Sequence, residues 1–380
     1  MKTFNVGALR PANDDARQAR MAAANDLVQR TLAQHGLTSP LDGQGTGTMP
    51  LPSMDGLLSG LTSPLDGQGV GSMSLPSMEG LMSGLASPLT APQRDVPIPD
   101  GAEFRSGMHT SAAGSRSYRT YVPSTVKDKA NGLILMLHGC TQTAEDFAIG
   151  TGMNALAEER GLIVIYPQQA RGDNAQSCWN WFSLGDQRRG RGEPEILAGM
   201  VQSVAAEFNV PPERTFVAGL SAGAAMAVIL GANYGDVFAA VGAHSGLPLG
   251  AARDVPSAFA AMAGNAPESQ PGKVQARSIV FHGTKDATVH PVNGERIAQQ
   301  VTSGGAQEAI ESEVTGTRAG RSYTRRIIGA AGDAPRLEHW TVEGLGHAWS
   351  GGQPGGSYAD AAGPDASAEM IRFFLNEKDL

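Results

Sequence analysis

From Arg105 to the end of the chain, short uninterrupted apolar runs alternate with stretches of helical periodicity, and this alternation limits the folds open to the chain. The apolar runs lie at 132–137, 162–166, 215–218 and 278–281. The helical stretches lie near 146–160, 195–208, 222–234, 292–302 and 364–374. A strand that is apolar at every position is buried on both faces, which is typical of a parallel sheet covered by helices on both sides. Residues 105–380 are therefore predicted to form one α/β domain.

The first hundred residues differ in composition from this domain. Of the 21 aromatic residues (4 Trp, 6 Tyr and 11 Phe) only Phe4 precedes position 104. A ten-residue segment that begins at Gly36 recurs at Gly60, an offset of 24 residues, and a truncated third copy begins at Gly84. Because Gly, Pro and Ser interrupt each copy, residues 37–104 are predicted to be a flexible linker. The alternative is a Leu- and Met-rich segment that docks on a hydrophobic surface such as a polymer granule.

Residues 1–36 are predicted to form a short helical segment ahead of this linker. Asn13 suits the N-cap, apolar side chains follow at helical spacing, and Gly36 suits the end of a helix that runs to His35. No apolar stretch precedes Asn13, so a standard secretory leader is not expected and a cytoplasmic location is favoured.

Charge and cysteine content exclude several classes of protein. The 29 Lys and Arg against 37 Asp and Glu give a net charge of −8, which does not favour binding to nucleic acid. No run of 18 apolar residues is present, so no membrane span is predicted. The two cysteines form no CxxC pair, so no metal site is predicted.

Ser221 is the strongest candidate for a nucleophile. It is the central residue of Gly219-Leu220-Ser221-Ala222-Gly223, between a predicted strand and a predicted helix. The glycines allow a tight turn that projects the serine hydroxyl above the carboxyl edge of the sheet. The alternative is a serine that only caps the following helix.

A serine nucleophile needs a base, and that base needs an orienting carboxylate. Chain order in this type of fold is Ser, then Asp or Glu, then His. His347 follows the last predicted strand, at 340–346, and precedes the last predicted helix, which suits the base. Asp286 lies in the turn after the 278–281 strand and suits the carboxylate, although an Asp in a tight turn also bonds its own backbone.

The loop after the first apolar run is expected to help bind an oxyanion. The amide of Ala222 is one predicted donor, and the amide of Cys140, which follows Gly139, is the second.

Cys140 and Cys178 lie in loops at the same predicted sheet edge, so a disulfide and two free thiols are both compatible with the sequence. Trp181 and Trp349 are predicted at the same rim, either as substrate contacts or as packing residues.

Six segments together resemble the polyhydroxybutyrate depolymerase family of α/β-hydrolase esterases. They are 138–142, 165–168, 178–182, 219–223, 282–286 and 346–352. The resemblance covers residues 105–374 and implies Ser221 as nucleophile, Asp286 and His347 as its partners, the Cys140 loop in the oxyanion hole and no cofactor. Secreted members carry a signal peptide that is not seen in this sequence, and the repeat is not part of the family's catalytic pattern.

The sequence thus predicts a serine esterase that hydrolyses poly(3-hydroxyalkanoate) or its oligomers. The family also resembles feruloyl and acetylxylan esterases, so a carbohydrate esterase is one alternative. A granule-binding protein with secondary esterase activity, attached through the N-terminal region, is the other.

Overall fold

A computed structural model describes residues 95–266, 273–303, 310–330 and 332–377. The predicted helix at 13–35 and the 24-residue repeat lie outside these residues, and both stay predictions. No helix within the described ranges is long and apolar enough to cross a bilayer.

The described residues form ten strands of one sheet, a short two-stranded pair and seven α-helices. The strands are β1 (Glu103–Ser111), β2 (Gly114–Val122), β3 (Gly132–Leu137), β4 (Leu162–Pro167), β5 (Thr215–Leu220), β6 (Ala240–His244), β7 (Arg277–Gly283), β8 (Ile310–Arg318), β9 (Arg321–Gly329), β10 (Leu337–Val342), β11 (Trp349–Ser350) and β12 (Ala359–Asp360). The helices are α1 (Ala144–Thr151), α2 (Met153–Arg160), α3 (Gly192–Glu207), α4 (Ala222–Asn233), α5 (Val255–Met262), α6 (Val292–Thr302) and α7 (Ala366–Leu375).

The large sheet has a parallel centre with an antiparallel hairpin at each edge. Its strand order is β1-β2-β4-β3-β5-β6-β7-β10-β9-β8. The six strands from β4 to β10 in this order are parallel, whereas β1, β2, β8 and β9 pair antiparallel. The carboxyl ends of β5, β7 and β10 therefore meet at one edge, which brings together the loops that carry the predicted site.

Helices bury both faces of this parallel centre, as the apolar runs predict. Along β3, Leu133 and Leu135 pack on one face with helix α3, while Ile134 and Met136 pack on the other with helices α1 and α7. Alternate side chains of a strand point to opposite faces, so a strand with no polar position needs cover on both. The predicted fold class is confirmed.

Several elements differ from the sequence prediction. The single helix expected at 146–160 is two helices, α1 and α2, because Gly152 between them adopts a left-handed backbone with φ +63°. The strand expected to run on to Gly346 ends at Val342, and β1 begins at Glu103, two residues inside the predicted linker. Helix α5 and strand β6 were not predicted.

The edge hairpins also escaped prediction, for a physical reason. Strand β8 is exposed at almost every position and has charged residues among its apolar ones, so it lacks a buried run. Its neighbour β9 is partly buried and carries Arg325 and Arg326. Arg326 is paired with Glu311 of β8 and Glu295 of helix α6, so β8 is held by charge contacts and by pairing with β9, which in turn pairs with β10.

Candidate active site

Ser221 lies on the sharp turn between β5 and helix α4. Its backbone has φ +57° and ψ −119°, a conformation that non-glycine residues rarely adopt. Gly219 and Gly223 make the turn possible: a Cβ at Gly219 would lie 2.5 Å from the Gly223 carbonyl carbon, and one at Gly223 would overlap the Leu137 carbonyl oxygen. Both glycines of the motif are therefore required by close backbone approach. The Ser221 amide donates to the His244 carbonyl at 2.9 Å, which anchors the turn to β6.

His347 and Asp286 are in direct contact. The Nδ1 atom of His347 lies 2.8 Å from Oδ2 of Asp286, and both side chains are buried. The other carboxylate oxygen, Oδ1, accepts from the amides of Thr288 at 3.0 Å and Val289 at 2.9 Å. Because the Asp286 carboxylate accepts the Nδ1 proton, the Nε2 atom of a neutral His347 carries the lone pair. His347 and Ser221 line the same cavity.

His282 supports this carboxylate and was not singled out from the sequence. Its Nε2 atom lies 2.8 Å from the Val289 carbonyl oxygen and 3.5 Å from Oδ2 of Asp286. Burial raises the pKa of Asp286, but the charge of His347 and hydrogen bonds from His282 and His347 outweigh it, so the pKa lies well below its ordinary range. Asp286 is therefore ionised throughout the neutral and mildly acidic range.

His138 fixes the backbone of the loop after β3, just before Cys140. The Nδ1 atom of His138 lies 2.7 Å from the Gly139 carbonyl, and its Nε2 atom accepts from the Gln169 amide at 3.1 Å. Burial lowers the pKa of His138 to about 4, so the ring is neutral at pH 7 and donates through Nδ1. In a trans peptide the carbonyl and the next N–H point in opposite directions. Because the Gly139 carbonyl accepts a hydrogen bond from Nδ1 of His138, the Cys140 N–H points away from His138.

The amides on either side of Cys140 have acceptors of their own. Gly139 donates to Oε1 of Gln142 at 2.9 Å, and Thr141 donates to the Gln176 carbonyl at 2.8 Å. Within the part of the chain that the structure describes, no acceptor is seen for the Cys140 amide. Cys140 lines the cavity with Ser221, and Ala222 follows Ser221 at the start of helix α4, where helical amides have no partner in their own helix.

A disulfide links Cys140 to Cys178, with the two Cα atoms 4.3 Å apart. It ties the loop after β3 to the loop after β4. The buried side chain of Glu193, which is 3% exposed, holds that second loop in place. Its carboxylate accepts from the amide of Asn180 at 2.7 Å and from the guanidinium of Arg116 at 3.2 Å. Both loops are therefore fixed from more than one side.

A cavity of about 280 Å³ opens over Ser221 and His347. Its walls are mainly apolar and include Trp181, Phe182, Leu220, Val255, Phe259 and Met262. Trp181 lies in this wall, where the sequence suggested a substrate contact.

Trp349 does not lie in this wall, contrary to the predicted substrate contact. It is 1% exposed, its ring lies between those of Phe147 and His244, and its indole N–H donates to Oγ of Ser367. It is a core residue beneath the site.

Tyr358 and helix α5 contribute to the cavity and were missed in the sequence. Phe259 and Met262 of α5 form part of one wall, and Tyr358 lies in the connection between β11 and β12. Helix α5 begins at a capping box between Asp254 and Ser257, which is a readable signal in the sequence. No comparable local signal marks Tyr358.

Among the described residues, no group of three or more His, Cys, Asp or Glu side chains is arranged to hold a metal ion.

His339 on β10 leads to a prediction about acid stability. Burial, with the charges of Arg326 and His282, lowers the pKa of His339 from 6.5 to about 3. At a pH between these two pKa values, His339 is protonated in the unfolded chain but not in the folded chain. The free energy of unfolding therefore falls as the pH falls, and this one histidine contributes up to about 1.4 kcal/mol per pH unit. We expect urea unfolding between pH 7 and pH 4.5 to show a shallower decline for His339→Gln than for the unsubstituted chain. His290→Gln, at an exposed position, is the control, and identical slopes for all three proteins would contradict the prediction.

The parallel sheet, the strained serine turn and the histidine–carboxylate pair at the carboxyl edge define an α/β-hydrolase fold. The family model described as esterase PHB depolymerase matches residues 116–323, more than half of the chain. The chain belongs to this family.

The curated relatives include enzymes named poly(3-hydroxyalkanoate) depolymerase and enzymes named acetylxylan esterase. The chain is 33% identical over 242 residues to poly(3-hydroxyalkanoate) depolymerase C of Paucimonas lemoignei, covering 60% of this chain and 57% of the relative. It is 31% identical over 192 residues to a probable acetylxylan esterase A of Aspergillus fumigatus, covering 46% and 51%. The chain thus spans about half the length of these relatives.

A solved structure supports the fold. An acetyl xylan esterase from Aspergillus awamori superposes with a TM-score of 0.53 at 21% identity, covering 64% of this chain and 94% of that one.

Proposed function

We propose that this chain is a serine ester hydrolase in which Ser221 is the nucleophile, His347 the base and Asp286 the orienting carboxylate. The observation that carries the proposal is the 2.8 Å contact between His347 and Asp286 at a cavity that Ser221 also lines. The family membership and the names of the curated relatives support the same reaction class.

In the first half of the proposed reaction, Nε2 of His347 takes the hydroxyl proton of Ser221 while Oγ attacks the ester carbonyl carbon. The carbonyl oxygen becomes an oxyanion, which the amides of Cys140 and Ala222 stabilise. Asp286 stabilises the imidazolium through its contact with Nδ1. The carbon–oxygen bond to the alcohol then breaks, and the alcohol leaves with the proton from His347, which leaves an acyl group on Ser221.

In the second half, water replaces the alcohol. His347 takes a proton from the water, the hydroxide attacks the acyl carbon, and the same two amides stabilise the second oxyanion. Oγ of Ser221 leaves with the proton from His347, the carboxylic acid is released and the enzyme returns to its initial state. No redox change occurs in either half, so the scheme needs no electron donor or acceptor.

For the substrate we propose poly(3-hydroxyalkanoate) or its oligomers. A cavity of about 280 Å³ has room for roughly nine water-sized groups. This space is larger than an acetyl group needs and has room for a hydroxyalkanoate unit. The apolar walls also suit a polyester, because burying apolar surface is favourable and burying sugar hydroxyls without partners is not.

An acetyl ester of a plant polysaccharide is the second candidate, favoured by the relatives named acetylxylan esterase, and a feruloyl ester stays an alternative from the sequence. Attachment to polymer granules through the N-terminal region stays a prediction from the sequence, because the repeat lies outside the described residues.

The test compares product release from amorphous poly(3-hydroxybutyrate), acetylated xylan, feruloylated arabinoxylan and p-nitrophenyl butyrate. We expect hydrolysis of p-nitrophenyl butyrate and release of soluble hydroxyacids from the polyester. Hydrolysis of p-nitrophenyl butyrate with product from a polysaccharide alone would replace the polyester substrate and keep the esterase. No hydrolysis of any ester, together with no covalent labelling by a fluorophosphonate, would reject the serine hydrolase.

A further inference from the structure

His244 is a buried histidine directly beneath the candidate active site. It is the last residue of β6, and β6 lies between β5, which leads to Ser221, and β7, which leads to Asp286. Its side chain has no exposed surface, so it does not contact substrate. Its ring is stacked between those of Phe281 and Trp349, with centroids 5.7 Å and 5.1 Å away. It takes no part in the proposed proton transfers.

Hydrogen bonds determine which nitrogen of His244 carries the proton. Nε2 lies 3.0 Å from the amide nitrogen of Ser350, which can only donate, so Nε2 presents a lone pair and the proton of the neutral ring is on Nδ1. Nδ1 lies 3.2 Å from Oγ of Ser245, a hydroxyl that can accept or donate, so the Ser350 amide sets the tautomer. Burial, with the charges of His282 and His347, lowers the pKa of His244 to about 3, so Nε2 remains an acceptor at pH 7.

The loops that carry the proposed nucleophile and the proposed base are both fastened to His244. Its main-chain carbonyl accepts from the Ser221 amide at 2.9 Å, which holds the nucleophile turn. Its ring accepts from the amide of Ser350, three residues after His347. On the other side of His347, a main-chain hydrogen bond ties the loop to the turn after β7 instead. The Ser350 bond therefore fixes the loop of the base against the same residue that fixes the nucleophile.

We propose that His244 is a positioning residue, which holds His347 in place against Ser221 through the Ser350 amide. Proton transfer from a serine hydroxyl to an imidazole needs the two atoms within hydrogen-bond reach, and a displacement of about 1 Å can cost about 10²-fold in rate. A buried amide that loses its acceptor is unfavourable, so the Ser350 amide would move toward another partner and the loop would move with it. This inference rests on the proposed function and adds a residue that acts through His347.

The test compares substitutions of His244 by their kcat and KM for p-nitrophenyl butyrate. His244→Phe keeps a flat ring between Phe281 and Trp349 but has no acceptor at the position of Nε2. His244→Asn keeps a polar side chain that is too short to reach Ser350, and it decides the test if His244→Phe does not fold. We expect kcat to fall about tenfold to a hundredfold in both variants, with KM within about threefold of that of the unsubstituted chain.

His244→Gln is the rescue variant. Its side-chain oxygen reaches the position of Nε2 and can accept from the Ser350 amide. We expect its kcat to stay within about threefold of that of the unsubstituted chain. A role in packing alone would not produce this difference between Gln and the other two variants, because Phe preserves the stacked ring better than Gln does.

Phe374→Leu is the matched control for a loss of stability. Phe374 is a buried ring of α7 that stacks on Phe216, with centroids 4.9 Å apart, and it does not line the cavity. This variant should melt at a lower temperature but keep kcat at a temperature where it is folded. An unchanged kcat in His244→Phe or His244→Asn, a tenfold fall of kcat in His244→Gln, or an equal fall in Phe374→Leu would overturn the inference. If the unsubstituted chain hydrolyses no ester, the proposed function itself fails, which is a different result.

Discussion

Replacing Ser221 with Ala is expected to lower kcat for p-nitrophenyl butyrate by at least about 10⁴-fold. The substitution removes Oγ, the atom that attacks the ester carbonyl carbon in the first half of the proposed reaction. What remains is the stabilisation of an oxyanion by the amides of Cys140 and Ala222, which accelerates attack by water only weakly. Fluorophosphonate labelling, followed by intact mass, should be lost in the same variant.

The variant should fold normally, which makes the loss interpretable. The described hydrogen bonds of Ser221 in this turn are made by its main chain: the amide donates to the His244 carbonyl, and the carbonyl accepts from the Ala225 amide. Alanine keeps both, so we expect the melting temperature to change by no more than about 4 °C.

Ser245→Ala is the matched control for this variant. Ser245 is a second serine with positive φ, +52°, at the end of β6, and it does not line the cavity. Its variant should still be labelled. Retention of more than about one hundredth of the activity by Ser221→Ala would assign the chemistry to another group.

How far the sequence predicts the fold depends on where each segment is buried. Strands β3, β4, β5 and β7 are buried at nearly every position because helices cover both sheet faces, and each contains a short apolar run that can be read without knowing its neighbours. Strand β8 is exposed and is held by pairing with β9 and by an ion pair between Glu311 and Arg326. Its stability depends on residues far away in the chain, so no local pattern identifies it.

The same distinction applies to the candidate site. Ser221, Asp286 and His347 follow strand ends, and a parallel sheet brings those ends to one edge, so the sequence is enough to place them near one another. Tyr358 reaches the cavity because its loop is fastened to helix α1 through Asp146 and to β11 through Trp349. Neither contact can be read from residues near Tyr358 in the sequence.

Trp349 shows the limit of reading a motif by position alone. It lies two residues after His347, so the sequence suggested a place at the rim. The chain turns between the two residues, and the indole is directed into the core, where Ser367 accepts its N–H. Which side of a loop faces substrate depends on tertiary packing rather than on distance along the chain.

Replacing Asp286 with Asn is the second prediction with a large effect: kcat for p-nitrophenyl butyrate should fall about 10³- to 10⁴-fold at pH 7. The asparagine oxygen can still accept from the amides of Thr288 and Val289, so the loop keeps its shape. Its amide nitrogen then faces Nδ1 of His347, where it can only donate. This favours the tautomer of His347 that has its proton on Nε2, and that tautomer cannot take the Ser221 proton.

The rate deficit of Asp286→Asn should not depend on pH in the neutral and alkaline range. The pKa of Asp286 lies well below its ordinary range, so in the unsubstituted chain the carboxylate stays ionised throughout the neutral and alkaline range. The asparagine side chain of the variant does not titrate either, so raising the pH changes the charge of neither group. The rate deficit should therefore persist at alkaline pH.

Asp333→Asn, at an exposed position outside the cavity, is the control and should match the unsubstituted chain. It makes the same chemical change as Asp286→Asn at a carboxylate that does not contact His347. A loss smaller than about tenfold in Asp286→Asn, with Ser221→Ala inactive, would mean that His347 is held in its reactive tautomer by a group other than Asp286.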